Sequence, residues 1–214
     1  FFTDPGPSHS YRIIDYLSRM EQQAEFDFNA IEKYLLACTA WTHDIGMSIN
    51  KKIQYIPDDD EPVPAWHSDV GTTKDQTVTI DDSRLIREHH HVLSQYFVAR
   101  HWKDIHLPGW EAAKVISNLS KYHRRKTDLR ELAVEEKIRI GNLSEEIAPR
   151  SLGAIFRVAD ACDTDNERVD ELASDIVQEL PPESQDHWAA CRNITSVEIN
   201  ADAAEIRIRG NYGT

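Results

Sequence analysis

Asn29-Ala30-Ile31-Glu32-Lys33-Tyr34-Leu35-Leu36-Ala37-Cys38-Thr39-Ala40-Trp41-Thr42-His43-Asp44-Ile45-Gly46 carries apolar residues on most faces of a helix, through Ile31, Tyr34, Leu35, Leu36, Cys38, Ala40, Trp41 and Ile45. A helix of that kind belongs at the centre of its domain. Gly46 offers a stop, so the spacing predicts an α-helix over 29–46 around which other helices pack.

Upstream, residues 10–24 place Tyr11, Ile14, Leu17 and Met20 at steps of three with Arg12, Asp15, Ser18 and Arg19 between them, an amphipathic helix that Asp4-Pro5-Gly6-Pro7-Ser8 would start. Downstream, periodicity fails from Asn50 to Asp82, and Pro57-Asp58-Asp59-Asp60-Glu61-Pro62-Val63-Pro64 breaks any regular element, so a long surface loop is expected. Helical spacing resumes at Asp82-Ser83 and runs to about Asp104 through Leu85, Ile86, Leu93, Tyr96, Phe97 and Ala99. A helix after Pro108 carries Ala112, Val115, Ile116 and Leu119 toward Tyr122-His123. Residues 129–147 read as short helices and turns around Gly141-Asn142. Pro149-Arg150-Ser151 opens an apolar helix to Cys162, and another from Val169 to Leu180 ends at Pro181-Pro182. Val197, Ile199, Ile206 and Ile208 alternate with polar residues and predict a small hairpin. The predicted class is all-α, a helical bundle over 1–180, with a short α/β tail over 181–214 that packs on the same domain or leads to another.

Composition narrows the function. The 214 residues hold 24 Lys plus Arg against 37 Asp plus Glu, a net charge of −13, which argues against a coat for nucleic acid. A hydrophobic content of 40% supports one core, since a chain of this length buries roughly 70% of its extended surface. No run of about 18 apolar residues could span a bilayer and no signal-peptide pattern opens the chain, so a soluble cytoplasmic protein without membrane partners is expected. The first residue is Phe1, which suggests a processed chain or an excerpt from a larger one. Cys38, Cys162 and Cys191 are isolated and form no CxxC, which argues against a disulfide framework or a thiolate zinc site. The ten His need another explanation.

His43-Asp44 lies at the end of the apolar 29–46 helix, and other candidate ligands also lie on apolar helices: His9, the run His89-His90-His91, His123 and Asp160. Packed helices can bring such positions to one point at the rim of a core. Imidazole and carboxylate together suit manganese, iron, cobalt, nickel or zinc, with magnesium also admissible. Neighbours on a helix project about 100° apart, so His43 and Asp44 are not equivalent ligands; the Asp could bridge two ions while the His binds one. Two such ions serve in-line displacement at phosphorus, so phosphoester hydrolysis is the chemistry this set fits best.

The ordered pattern resembles the HD superfamily of metal-dependent phosphohydrolases: Ser8-His9-Ser10-Tyr11-Arg12-Ile13 is similar to its first ligand motif, His43-Asp44 to the namesake pair and Arg157-Val158-Ala159-Asp160-Ala161-Cys162-Asp163 to its closing Asp motif. Arg87 to Ser94 and Ser120-Lys121-Tyr122-His123 resemble the extra His segments of two-metal branches, with His90 chosen by its spacing to Ser94. The resemblance covers roughly residues 6–170. It implies an HD-type fold, with His9, His43, Asp44 and Asp160 holding one ion and Asp44, His90 and His123 a second. The HD-GYP branch carries a Lys after His-Asp-Ile-Gly, a paired late His and a Gly-Tyr-Pro triplet, whereas this chain has Met47, a single His123 and no such triplet. Asp-Ile-Gly-Met also resembles HD modules that precede Hsp90-like ATPase domains in larger bacterial proteins, which would make further domains of the same polypeptide its partners.

Residues 84–130 contain ten Lys plus Arg and four Asp plus Glu, a basic stretch in an acidic chain. Within it Lys121, Arg124 and Arg125 flank His123, where they could bind substrate phosphates and neutralise charge developing on them. The expected function is hydrolysis of a phosphoester or phosphoanhydride in a small nucleotide or cyclic nucleotide by a metal-activated water. Two alternatives stay open: a nuclease acting on a single strand with the same metals, and a nucleotide-binding regulatory module without catalysis.

Overall fold

The computed structural model describes residues 7–23, 27–47, 54–55, 78–79, 83–132, 138–141, 145–166, 182–200 and 202–211. The expected helix at 169–180 and nearly all of the expected loop at 50–82 lie outside them. Among the described residues the chain is mostly helical with a small C-terminal hairpin, as the hydrophobic spacing implies. None of these helices is long and apolar enough to cross a membrane. The chain divides into two compact units, one formed by 1–40 with 154–214 and the other by 41–153.

In the first unit, α1 (Pro7–Gln23) starts on a proline, whose missing N–H costs nothing in a first turn. It buries His9, Ser10, Ile13, Tyr16, Leu17 and Met20. Tyr11, placed on the apolar face by the three-residue spacing, is instead 63% exposed. Three residues advance a helix by 300°, so a strict step of three winds off its face, and alternating steps of three and four hold it. Helix α2 (Ala30–Thr42) opens with a capping box. The Asn29 carboxamide oxygen accepts from the N–H groups of Ile31 and Glu32 at 3.0 and 2.9 Å, and Glu32 reaches back to the Asn29 N–H at 3.2 Å. The helix buries Leu35, Leu36, Thr39 and Ala40, while Tyr34 is partly exposed, so it has one covered face rather than being enclosed all round.

Later in the chain come α5 (Pro149–Cys162), α6 (Pro182–Asn193), β5 (Ile194–Asn200) and β6 (Glu205–Gly210). The last two pair antiparallel, Val197 opposite Ile208 and Ile199 opposite Ile206. Strand β5 packs on α1 and on α6. Pro182 therefore begins a helix, and only Trp188 and Cys191 of α6 are buried among its described side chains. An apolar hollow of about 380 Å³ is lined by Met20, Ile155, Val158, Ile199 and Ile206.

The second unit is built on α3 (Ser83–His101) packed along α4 (Trp110–Tyr122). Helix α4 buries Ala112, Ala113, Val115, Ile116 and Leu119, and Leu93 and Val98 of α3 are buried as well. Between the helices, His106 adopts a left-handed φ of 58° and turns the chain before Pro108. Two short antiparallel pairs were not legible in the hydrophobic pattern: β1 (Gln54–Tyr55) with β2 (Val78–Thr79), and β3 (Ile138–Arg139) with β4 (Glu146–Ile147). Gly141, at φ 55°, supplies the turn after β3.

The 29–46 helix stops at Thr42, and Ile45–Met47 forms a separate 3₁₀ turn closed by Met47 N–H donating to the Asp44 carbonyl at 2.8 Å. This turn packs on α3, and the Gly46 N–H donates to Ser94 Oγ at 2.9 Å. A Cβ on Gly46 would lie 2.2 Å from the His90 carbonyl oxygen. Glycine is required there because two backbones meet.

Candidate metal centre

The close approach at Gly46 brings Asp44, two residues earlier, against α3. Asp44 Oδ1 lies 3.2 Å from His90 Nε2 and 3.5 Å from His123 Nε2, and those two nitrogens are 3.1 Å apart. His43 Nε2 is 3.6 Å from Asp44 Oδ2, and the His43 ring meets the His123 ring edge to face at 5.0 Å. One ligand atom each from Asp44, His90 and His123 lies within 4.8 Å of the others.

The far side of each ring fixes what these nitrogens offer. His90 Nδ1 donates to the Arg87 carbonyl at 2.7 Å, and His123 Nδ1 donates to the Ser120 carbonyl at 2.6 Å. With its proton held at Nδ1, a neutral imidazole presents a lone pair at Nε2. Two such lone pairs and a carboxylate oxygen converge, an arrangement that a cation completes and that the three groups alone do not. The donor set therefore fits a divalent transition metal.

Burial opposes ionisation of Asp44, but His43, His90 and His123 together outweigh it and hold the carboxyl well below the usual carboxylate range. His91, next to the site, is pushed down to about 3, chiefly by burial and then by His90 and Arg124, and its buried Nδ1 has no hydrogen-bond partner among the described residues. Unfolded His91 takes up a proton below about pH 6.5, whereas the folded residue resists until about pH 3. The unfolded state thus binds more protons in that window, so this contribution to stability is complete above pH 6.5 and declines toward pH 3. His91→Leu is expected to flatten that acid limb in denaturant titrations of the metal-free protein. It should also raise stability at pH 7.5 by about 1 kcal/mol through removal of an unsatisfied buried group. An unchanged acid limb would contradict the assignment.

The basic residues around His123 have differing placements. Arg124 Nη1 donates to the carbonyls of Arg87, at 3.3 Å, and Glu88, tying the end of α4 to the α3 turn that carries His90. Burial lowers the pKa of its guanidinium, and Asp44 acts electrostatically in the opposite sense. Lys121 Nζ lies over the Tyr122 ring at 5.1 Å, Arg125 is exposed, and Lys126 faces Glu88 at 3.8 Å.

In the first unit, α1 and the end of α5 bring His9 and Asp160 together, with His9 Nε2 3.4 Å from Asp160 Oδ1. Two further residues join them that were not singled out in the sequence. His9 Nδ1 bonds to Asp163, and Arg12 grips the same carboxylate with Nε at 2.5 Å and Nη2 at 3.2 Å. Both His9 and Asp163 are fully buried. The available signal was spacing: Arg12 follows His9 by three positions, and Asp163 follows Asp160 by three.

Comparison with known proteins gives the class of the molecule. The HD-CE family model matches residues 1–209, so the chain belongs to the HD-CE family, an HD-type domain family. No curated protein and no solved structure matches the chain. An HD-type fold bearing this His and Asp set is compatible with a metal-dependent hydrolase.

Proposed function

We propose that the protein is a metal-dependent phosphohydrolase acting on a nucleotide or cyclic nucleotide. The observation that carries this reading is the convergence of His90 Nε2 and His123 Nε2 on Asp44 Oδ1, both rings being turned by backbone carbonyls so that their lone pairs face inward. Asp44, His90 and His123 would hold one divalent ion; His43 beside Asp44, with His9 and Asp160 taken from the ordered sequence pattern, would supply the ligands of the other. When bound, manganese, iron, cobalt, nickel or zinc polarises a phosphoryl oxygen and lowers the pKa of a water into the neutral range. Asp44 stays ionised beside His43, His90 and His123. The Arg87 and Ser120 carbonyls hold His90 and His123 in the ligating tautomer.

Lys121, Arg124 and Arg125, which flank His123 in the sequence, are proposed to meet the substrate phosphates. The excess of acidic residues over the whole chain favours a small substrate over a long nucleic acid. Nucleotides, cyclic dinucleotides and single-stranded oligonucleotides incubated with manganese, cobalt, nickel or magnesium test the reading. The expected result is metal-dependent hydrolysis of at least one nucleotide or cyclic nucleotide. Cleavage confined to oligonucleotides and strongly suppressed by salt would replace it with a single-strand nuclease. Metal binding with no turnover of any of them would replace it with a regulatory binding module.

A further inference from the structure

Asp163 has a different place from the carboxylates at the candidate ligand positions. It lies one residue past the end of α5, its N–H donating to the Asp160 carbonyl at 3.2 Å, and its side chain is fully buried. A buried carboxylate persists where it is paired and its lone pairs are taken up. Here Arg12 supplies a two-pronged donor and His9 Nδ1 a third contact. Because an ionised carboxylate only accepts hydrogen bonds, the proton between Asp163 and His9 belongs to Nδ1. His9 Nε2 then carries the lone pair, on the side that faces Asp160 Oδ1.

We infer that Asp163 is a positioning residue, anchored by Arg12, which locks His9 in the Nδ1–H tautomer and so keeps its Nε2 available to a metal. The inference rests on the reading of His9 as a ligand. In the second unit, backbone carbonyls perform the same task for His90 and His123. A carboxylate raises the basicity of its imidazole further than a carbonyl does, which strengthens the bond to the ion. An asparagine at 163 cannot satisfy both neighbours. With its oxygen kept on Arg12, its NH₂ faces His9 Nδ1 and favours the opposite tautomer, in which Nε2 carries the proton.

The test is a long-range ¹H–¹⁵N spectrum of histidine-labelled, metal-free protein at mildly alkaline pH, with His9→Gln used to assign the His9 signals. Wild type is expected to show His9 as the Nδ1–H tautomer, and Asp163→Asn as Nε2–H with near-UV circular dichroism retained. Cobalt alone should then bind about 10–100-fold more weakly to Asp163→Asn, and Arg12→Gln should weaken binding in the same direction. An Nε2–H tautomer in wild type overturns the inference even if Asp163→Asn fails to fold. An unchanged tautomer and unchanged cobalt affinity in a folded Asp163→Asn overturn it too. The tautomer is read without metal or substrate, so it is separable from the hydrolase reading: absence of turnover in wild type, with the expected tautomer and cobalt shift, removes that reading and leaves this one standing.

Discussion

If the proposed centre binds a transition metal, wild type is expected to purify with it and Asp44→Ala without it, and the variant should lose hydrolysis by about 10³-fold or more. Asp44 faces His43, His90 and His123, so its removal takes charge and geometry from all three at once. A bound metal contributes several kcal/mol of transition-state charge stabilisation, and each ~1.4 kcal/mol is a factor of ten in rate. The folded state should survive in the metal-free variant, because the surrounding rings keep their Nδ1 bonds to the Arg87 and Ser120 carbonyls. Elemental analysis and thermal melts with and without manganese check this. Ligand present at about 100 times its dissociation constant stabilises a protein by ~2.7 kcal/mol, so the wild-type midpoint should rise and that of Asp44→Ala should not. Full metal content or full activity in the variant would refute the proposed centre.

Gly46→Ala is expected to be strongly disruptive although it adds a single methyl. The new Cβ would lie 2.2 Å from the His90 carbonyl oxygen and 2.9 Å from both Leu93 Cβ and Ser94 N. Two of these three atoms are α3 backbone, which no rotamer change can move. The 3₁₀ turn must instead lift off the helix, losing the Gly46 bond to Ser94 Oγ and carrying Asp44 away from His90. Overpacking costs ~1–3 kcal/mol and the hydrogen bond about 1 kcal/mol more. At ~2–4 °C per kcal/mol for a chain of this size, the midpoint should fall by roughly 5–15 °C, with metal affinity falling as well. Gly153→Ala is the comparison, since its Cβ would meet the Leu132 Cδ2 methyl at 2.7 Å, the end of a side chain that can turn away. Equal losses in the two variants would show that backbone approach at Gly46 is not what sets the Asp44 position.

The parts of the fold legible in the sequence are those written in local spacing. Pro149 at a helix start followed by Leu152, Phe156 and Ala159 marks α5 from its first residue to Cys162. The spacing of Ala112, Val115, Ile116 and Leu119 does the same for α4. Helix α6 is mostly polar on its exposed positions and opens on the second of two prolines, and a proline opens a helix as readily as it closes one. The two-residue strands are too short for any alternation to register. In the candidate site, His and Asp were conspicuous as residue types on apolar helices, and Asp44, His90 and His123 are found together. Arg12 reads as a polar position between the apolar steps of its helix and Asp163 as the last residue of the closing motif, until the fold joins them across 151 positions. A partner so distant leaves no periodic trace.

The division of the chain also orders events in time. The unit over 41–153 is one continuous stretch, and its His90–His123 contact closes a separation of 33 residues. The other unit is assembled from both flanks, and its His9–Asp163 contact closes a separation of 154. Each doubling of a loop adds only about 0.6 kcal/mol of closure entropy, so the larger penalty is one of sequence rather than energy. During synthesis the middle stretch can be complete while residues 154–214 are still unmade. The Asp44, His90 and His123 cluster is therefore one that a nascent or C-terminally truncated chain can form, whereas the His9–Asp163 contact must wait until synthesis has passed residue 163.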